Sequence, residues 1–187
     1  MRSMDRLRML LRLCSGLGLL VAGWMGCARA PGVEVPYVQT PSEVVMEMLR
    51  LARVTPGDVV YDLGSGDGRL VIAAARYFGA RGVGIELDPA LVAESKKIAR
   101  RAGVAERARF VEQDIFEADI SEATVVTMYL SPSVNARLRP KLQSQLRPGA
   151  RIVSHDFPIG DWAPERVVQF KGPERTHALS LWTVPSR

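Results

Sequence analysis

From Thr40 onward, apolar and polar positions fall into blocks whose period switches between helix and strand. In "TPSEVVMEMLRLA", Val44, Val45, Met48, Leu49 and Ala52 share one face at helical spacing. Thr40 reads as the N-cap, Pro41 as the first helical residue, and Glu43 as the partner that closes a capping box. After the turn Thr55-Pro56-Gly57, "DVVYDL" reads as a strand. A helix from Arg69 to Phe78, a strand from Gly82 to Glu86 and a helix opened by Asp88 and Pro89 follow. "ARFVEQD" and "ATVVTMYL" read as the third and fourth strands, and "NARLRPKLQSQL" as a helix with Pro140 as a kink point. "ARIVSHD" is a fifth strand, and "ERVVQF" and "HALSLWTV" are two more with no clear helix between them. Strand alternating with helix, then a closing antiparallel hairpin, predicts an α/β fold, doubly wound, with a mostly parallel seven-stranded sheet. Its ligand should lie beyond the carboxyl ends of the strands.

The first thirty residues differ from the rest. Five arginines stand there against Asp5, and an uncharged stretch from Leu13 to Gly26 follows the first four of them. The pattern divides the chain into a signal-like or membrane-targeting leader (1–30) and one domain (31–187). The formal net charge is +5 over 187 residues. About +4 of it belongs to the leader by this count, so the domain has no net-charge reason to bind nucleic acid. Both cysteines, Cys14 and Cys27, also lie in the leader, which leaves the domain neither a disulfide framework nor a thiolate metal site. His155 and His177 are the only histidines and lack metal-ligand spacing, so no metal is expected.

The stretch "DLGSGDGR", Asp62 to Arg69, joins the first strand to its helix. Gly64, Gly66 and Gly68 permit positive φ and close approach of a ligand to the backbone. The spacing is GxGxG, not the dinucleotide GxGxxG, and two aspartates flank it. A pyrophosphate here would face Asp62 and Asp67 at a like-charge cost of about 1 kcal/mol or more. A ligand with a sulfonium and an ammonium but no phosphate is favoured, which describes S-adenosyl-L-methionine. Glu86, about twenty residues on, ends the second strand where a carboxylate accepts ribose hydroxyls. Asp114 after the third strand is placed for the adenine amine, with Ile115 against the ring. One such acid can equally be a helix cap or a solvated loop residue. Three in order, with the glycine loop, point to one cofactor.

These residues resemble the class I methyltransferases. "VPYVQTPSEVVMEMLRLARVTPGDVVYDLGSGDGRLVIAAA", "GVGIELDP", "EATVVTMYLSPSVNARLRPKL", "LRPGARIVSHDF" and "DW" followed by "THALSLW" are similar to one family within that class. It comprises the archaeal broad-specificity protein-lysine methyltransferase and the mitochondrial lysine methyltransferases of carrier and ATP-synthase subunits. The resemblance spans Val35 to about Val184. It implies a cofactor site of Asp62, Gly64, Ser65, Gly66, Asp67, Glu86, Asp114 and Ile115, with Tyr37 and Thr40 as a lid over the methionine end. It also implies that Tyr129, after the fourth strand, faces the transferred methyl group. Methyltransferases of nucleobase amines usually carry Asn/Asp-Pro-Pro-aromatic at that point, whereas this chain has Tyr129-Leu130-Ser131-Pro132.

The expected activity is S-adenosylmethionine-dependent N-methylation of protein lysine, with Tyr129 and Asp156 orienting the amine. His155 and Asp156 either approach the nucleophile or satisfy turn backbone. Trp162 lines a substrate groove or belongs to the core, and His177 reads as structural. Rival readings are a small-molecule methyltransferase on the same fold and a non-catalytic, membrane-tethered binding module. A nicotinamide oxidoreductase conflicts with Asp67 and the missing third glycine. For the leader, "GWMGC" resembles a lipoprotein signal with Cys27 as the lipidated residue, against a cytoplasmic enzyme as the alternative. An uncleaved anchor is short of span: about fourteen uncharged residues at 1.5 Å each reach about 21 Å of a roughly 30 Å core.

Overall fold

The structure is a computed structural model, and it describes residues 38–186. Cys27, Tyr37 and the whole leader lie outside the described residues. Seven strands and four helices follow in the order α1 (Ser42–Leu51), β1 (Val59–Leu63), α2 (Arg69–Tyr77), β2 (Arg81–Glu86), α3 (Pro89–Arg101), β3 (Ala108–Glu112), β4 (Val125–Met128), α4 (Pro132–Gln145), β5 (Arg151–His155), β6 (Arg166–Lys171) and β7 (Thr176–Thr183). They form one sheet in the order β3-β2-β1-β4-β5-β7-β6. The first five strands of this order pair in parallel, and β7 runs antiparallel between β5 and β6. The expected hairpin is therefore present, and its second arm inserts beside β5.

Successive strand residues point to opposite faces, so each inner strand supplies two cores. Val60, Val125, Val153 and Leu179 pack under α1 and α2 with Val44, Leu49 and Leu70. Tyr61, Val126, Met128, Ile152 and Trp182 face the other way, against Leu138 and Leu142 of α4. Tyr61 and Met128 are thus core residues, on the strand face turned away from α1 and α2. Trp162 is partly buried against this second core, and its carbonyl accepts from Trp182 Nε1 at 2.9 Å.

Helix α1 departs from the expected capping. Pro41 takes the N-cap position with no side-chain cap, and the Thr40 hydroxyl turns instead to His155 Nδ1 at 3.2 Å. A tertiary partner outcompetes the local cap. Asp88, by contrast, caps α3 as expected, accepting from the Ala90 N–H at 2.8 Å. Pro140 leaves α4 continuous from Pro132 to Gln145.

Candidate active site

Strand order reverses between β1 and β4, and the crevice at such a point is where a doubly wound sheet binds its ligand. Asp62 lies on β1, Glu86 ends β2, and Asp114, Tyr129 and Asp156 follow β3, β4 and β5 within two residues. Five of the expected residues therefore line one edge.

The glycine loop is docked on β2: the Gly64 and Ser65 N–H groups both donate to the Ile85 carbonyl, at 2.9 and 3.0 Å. Gly64, Gly66 and Gly68 all have positive φ. At Gly68 a Cβ would fall 2.4 Å from the Phe110 ring, so only glycine lets the loop pass into α2. Asp62 is buried and accepts from the Thr127 hydroxyl at 2.7 Å. Burial, opposed by that hydrogen bond and reinforced by the charges of Glu86 and Asp67, pushes its carboxyl up to about 7. Glu86 accepts three backbone N–H groups, from Gly66 at 2.9 Å, Leu87 at 2.8 Å and Asp88 at 3.0 Å. A carboxylate offers about four acceptor sites, so one remains for a ligand hydroxyl.

Asp67 is engaged within the protein. Arg69 grips it through Nε at 2.9 and 3.2 Å and through Nη2 at 2.5 Å, and donates Nη1 to the Thr40 carbonyl at 2.8 Å. This pair ties the residues just before α1 to the glycine loop and turns Arg69 onto Asp67. Asp114 is exposed, its Oδ1 accepts the Phe116 N–H at 2.8 Å, and Ile115 packs partly against the core.

The S-adenosylmethionine site meets a chemical test on these residues. Buried Asp62 and the strand-end carboxylate of Glu86 flank glycines that bring backbone close, and Ser65 Oγ is buried without a partner. The set suits a ligand with cationic centres and sugar hydroxyls.

Beyond β4 and β5 a second cluster forms, of which sequence spacing showed little. The Tyr129 ring packs on His155 with centroids 3.9 Å apart and lies parallel to Phe157 at 6.1 Å. His155 Nε2 and His177 Nδ1 share a hydrogen bond of 2.8 Å, and both rings are buried. Asp156 has a left-handed backbone, φ 61, fixed by bonds in both directions with Ala178 at 2.7 and 3.1 Å. Arg175 binds both Asp156 oxygens and donates to Tyr129 Oη at 3.4 Å. Burial pushes His155 down to about 4, with Asp156 opposing and the charges of His177 and Arg175 assisting. Burial raises Tyr129, as does the charge of Asp156, so its hydroxyl stays protonated. For Asp156 burial works upward, but the Arg175 and Ala178 bonds outweigh it and hold the carboxyl below its usual range. His155, Asp156 and His177 bring ligand-capable atoms within 4.8 Å of one another. The facing atoms already bond one another or Arg175, so the cluster stands as a hydrogen-bonded network. Arg175 and the histidine pair were missed in the sequence, because β5 and β7 become neighbours only in the sheet.

Sheet order, glycine loop and acids at successive strand ends define an S-adenosylmethionine-dependent methyltransferase. Known proteins narrow this further. The ANTKMT methyltransferase domain matches residues 62–166. A protein-lysine N-methyltransferase of Saccharolobus islandicus is 45% identical over 152 residues, 81% of this chain and 94% of that protein. An adenine nucleotide translocase lysine N-methyltransferase of Mus musculus is 38% identical over 157 residues, 83% of this chain and 68% of that protein. A crystal structure described as an RNA methyltransferase from Salinibacter ruber with S-adenosyl-L-homocysteine has a TM-score of 0.77 and 58% identity, covering 80% of this chain and 95% of that one. The chain belongs to the ANTKMT methyltransferase family.

Proposed function

We propose that this methyltransferase modifies protein lysine side chains. The observation that carries the reading is the 45% identity to a protein-lysine methyltransferase across nearly that protein's whole length. The acceptor end agrees. Tyr129 stands at the end of β4 with its hydroxyl at hand for an amine, beside an Asp156 whose oxygens are taken by Arg175 and Ala178, and the Asn/Asp-Pro-Pro-aromatic run of nucleobase enzymes is missing. When bound, S-adenosylmethionine supplies an activated methyl group. The chain's own work is then to hold the amine in line, where orientation supplies several kcal/mol. It must also lower the charge of a group that water keeps protonated near pH 7. Tyr129 Oη orients the amine. The protein is incubated with methyl-labelled cofactor and lysate, and labelled residues are mapped by mass spectrometry. Label on lysine ε-amines is expected. Label confined to RNA, the acceptor named for the Salinibacter protein, or to a small metabolite would replace this reading.

The leader supports a second proposal, attachment to a membrane through a lipidated Cys27. Its support is the arginine-rich start, the short apolar run and "GWMGC". Among the described residues no helix is long and apolar enough to cross a membrane. Fractionation with mass measurement of the N-terminus decides it: a diacylglyceryl-modified Cys27 in the membrane fraction is expected, and a soluble chain retaining Met1 overturns it in favour of a cytoplasmic enzyme.

A further inference from the structure

The turn between β6 and β7 carries Arg175 to the acceptor end of the site, although nothing in its own neighbourhood marks it. Its side chain is 49% exposed, whereas that of Asp156 is 14% exposed. Asp156 Oδ1 accepts from the Ala178 N–H at 3.1 Å and from Arg175 Nη1 at 3.3 Å. Oδ2 takes Arg175 Nη2 and lies 3.4 Å from His155 Nε2. The same guanidinium reaches Tyr129 Oη. The groups facing this point are therefore Tyr129 from the end of β4, His155 from β5, His177 from β7 and Arg175 from the turn. Both Tyr129 and His155 are held neutral by burial. Without Arg175, Asp156 would stand beside Tyr129 as an unpaired anion.

We propose that Arg175 is a positioning residue that keeps Asp156 paired, so that the mouth beside Tyr129 offers no free negative charge and takes the acceptor lysine as the neutral amine. The inference rests on the lysine reading above. An ammonium has no lone pair to give, and must release one proton to solvent before its nitrogen can accept a methyl group. An unpaired carboxylate within about 4–6 Å favours the charged form of a neighbouring amine by about 1–3 pH units. It would bind lysine more tightly in its unreactive state. Pairing by Arg175 cancels that attraction, and the Tyr129 oxygen remains to accept an N–H of the free amine. The arrangement trades ground-state affinity for turnover.

The probe is the single-lysine peptide recovered by label mapping. In Arg175→Met, kcat at about pH 7.5 should fall about tenfold and KM should fall with it, leaving kcat/KM within about threefold of the parent. The kcat difference should close above about pH 10, where the bound amine is free in both proteins. Adding Asp156→Asn to Arg175→Met should restore most of the lost kcat, and Arg175→Lys should keep the parent pH profile. Without cofactor, Arg175→Met should bind the peptide about tenfold more tightly near pH 7.5, by calorimetry. A lower KM with unchanged kcat would overturn the proposal and make Arg175 a competitor for the lysine's place. An equal loss of kcat/KM at every pH, without rescue, would overturn it and make Arg175 a brace of the turn. If the parent methylates no lysine peptide, the functional reading fails instead.

Discussion

Asp62 and Glu86 are both carboxylates at strand ends, yet their surroundings set them different tasks. Glu86 accepts from three backbone N–H donors, while Asp62 sits buried with one hydroxyl. Burial raises its carboxyl to about 7, so it takes up a proton near neutrality. A cationic ligand beside it favours the ionised form. Affinity for S-adenosylhomocysteine, which retains the ammonium, should thus be constant above about pH 7.5 and fall up to about tenfold per unit below 7. Titration calorimetry from about pH 8 to 5.5 reads this directly, and Asp62→Asn should be weaker at high pH and flat across the range. Glu86→Ala should lose about 1.5–3 kcal/mol of affinity, the range for a hydrogen bond to a charged group.

At the level of elements, local pattern and tertiary partner decided different things. β1, β2 and α3 were legible because their short apolar runs and the Asp88-Pro89 cap are written in consecutive residues. The places of Asp62, Glu86 and Asp114 were legible for the same reason, each lying at or just past the carboxyl end of a strand. The start of α1 was not, because the Thr40 hydroxyl answers to His155, 115 positions away. The Asp156 cluster was half hidden, since the pairing of His155 with Leu179 that brings His177 close depends on β7 entering between β5 and β6. Two helix termini test how far an element's ends depend on neighbours. Gly68, before α2, and Gly103, after α3, share left-handed backbone, φ 76 and 70. A Cβ at Gly68 meets the Phe110 ring at 2.4 Å, whereas at Gly103 it meets nothing within 4 Å. Gly103→Ala should cost about 1 kcal/mol for conformation alone. Gly68→Ala should cost about 2–4 kcal/mol, since a buried ring must also move. Denaturant unfolding of both variants gives the comparison.

Across the whole molecule, two buried groups pull stability in opposite directions as pH changes. His155 titrates near 4 in the fold and near 6.5 unfolded, so the fold loses stability as pH falls from about 6.5 to 4. Asp62 titrates near 7 in the fold and near 3.8 unfolded, so the fold gains stability over about the same interval. Each amounts to on the order of 3–4 kcal/mol, and the two act in opposite directions. Asp62→Asn removes one side of the balance. It should melt higher than the parent at about pH 8 and lose that advantage on acidification towards pH 4.5, by calorimetric scanning. A parallel pH dependence in the two proteins would remove Asp62 from the balance.

The reversal of strand order between β1 and β4 also divides the site in two. Asp62, Glu86 and Asp114 stand on one side of it, and Tyr129, Asp156, His155 and His177 on the other. A substitution on β5 or β7 is thus remote in sequence from the glycine loop, and among the described residues of the site the bridges across the divide are few: Thr127 to Asp62, and Thr40 between Arg69 and His155.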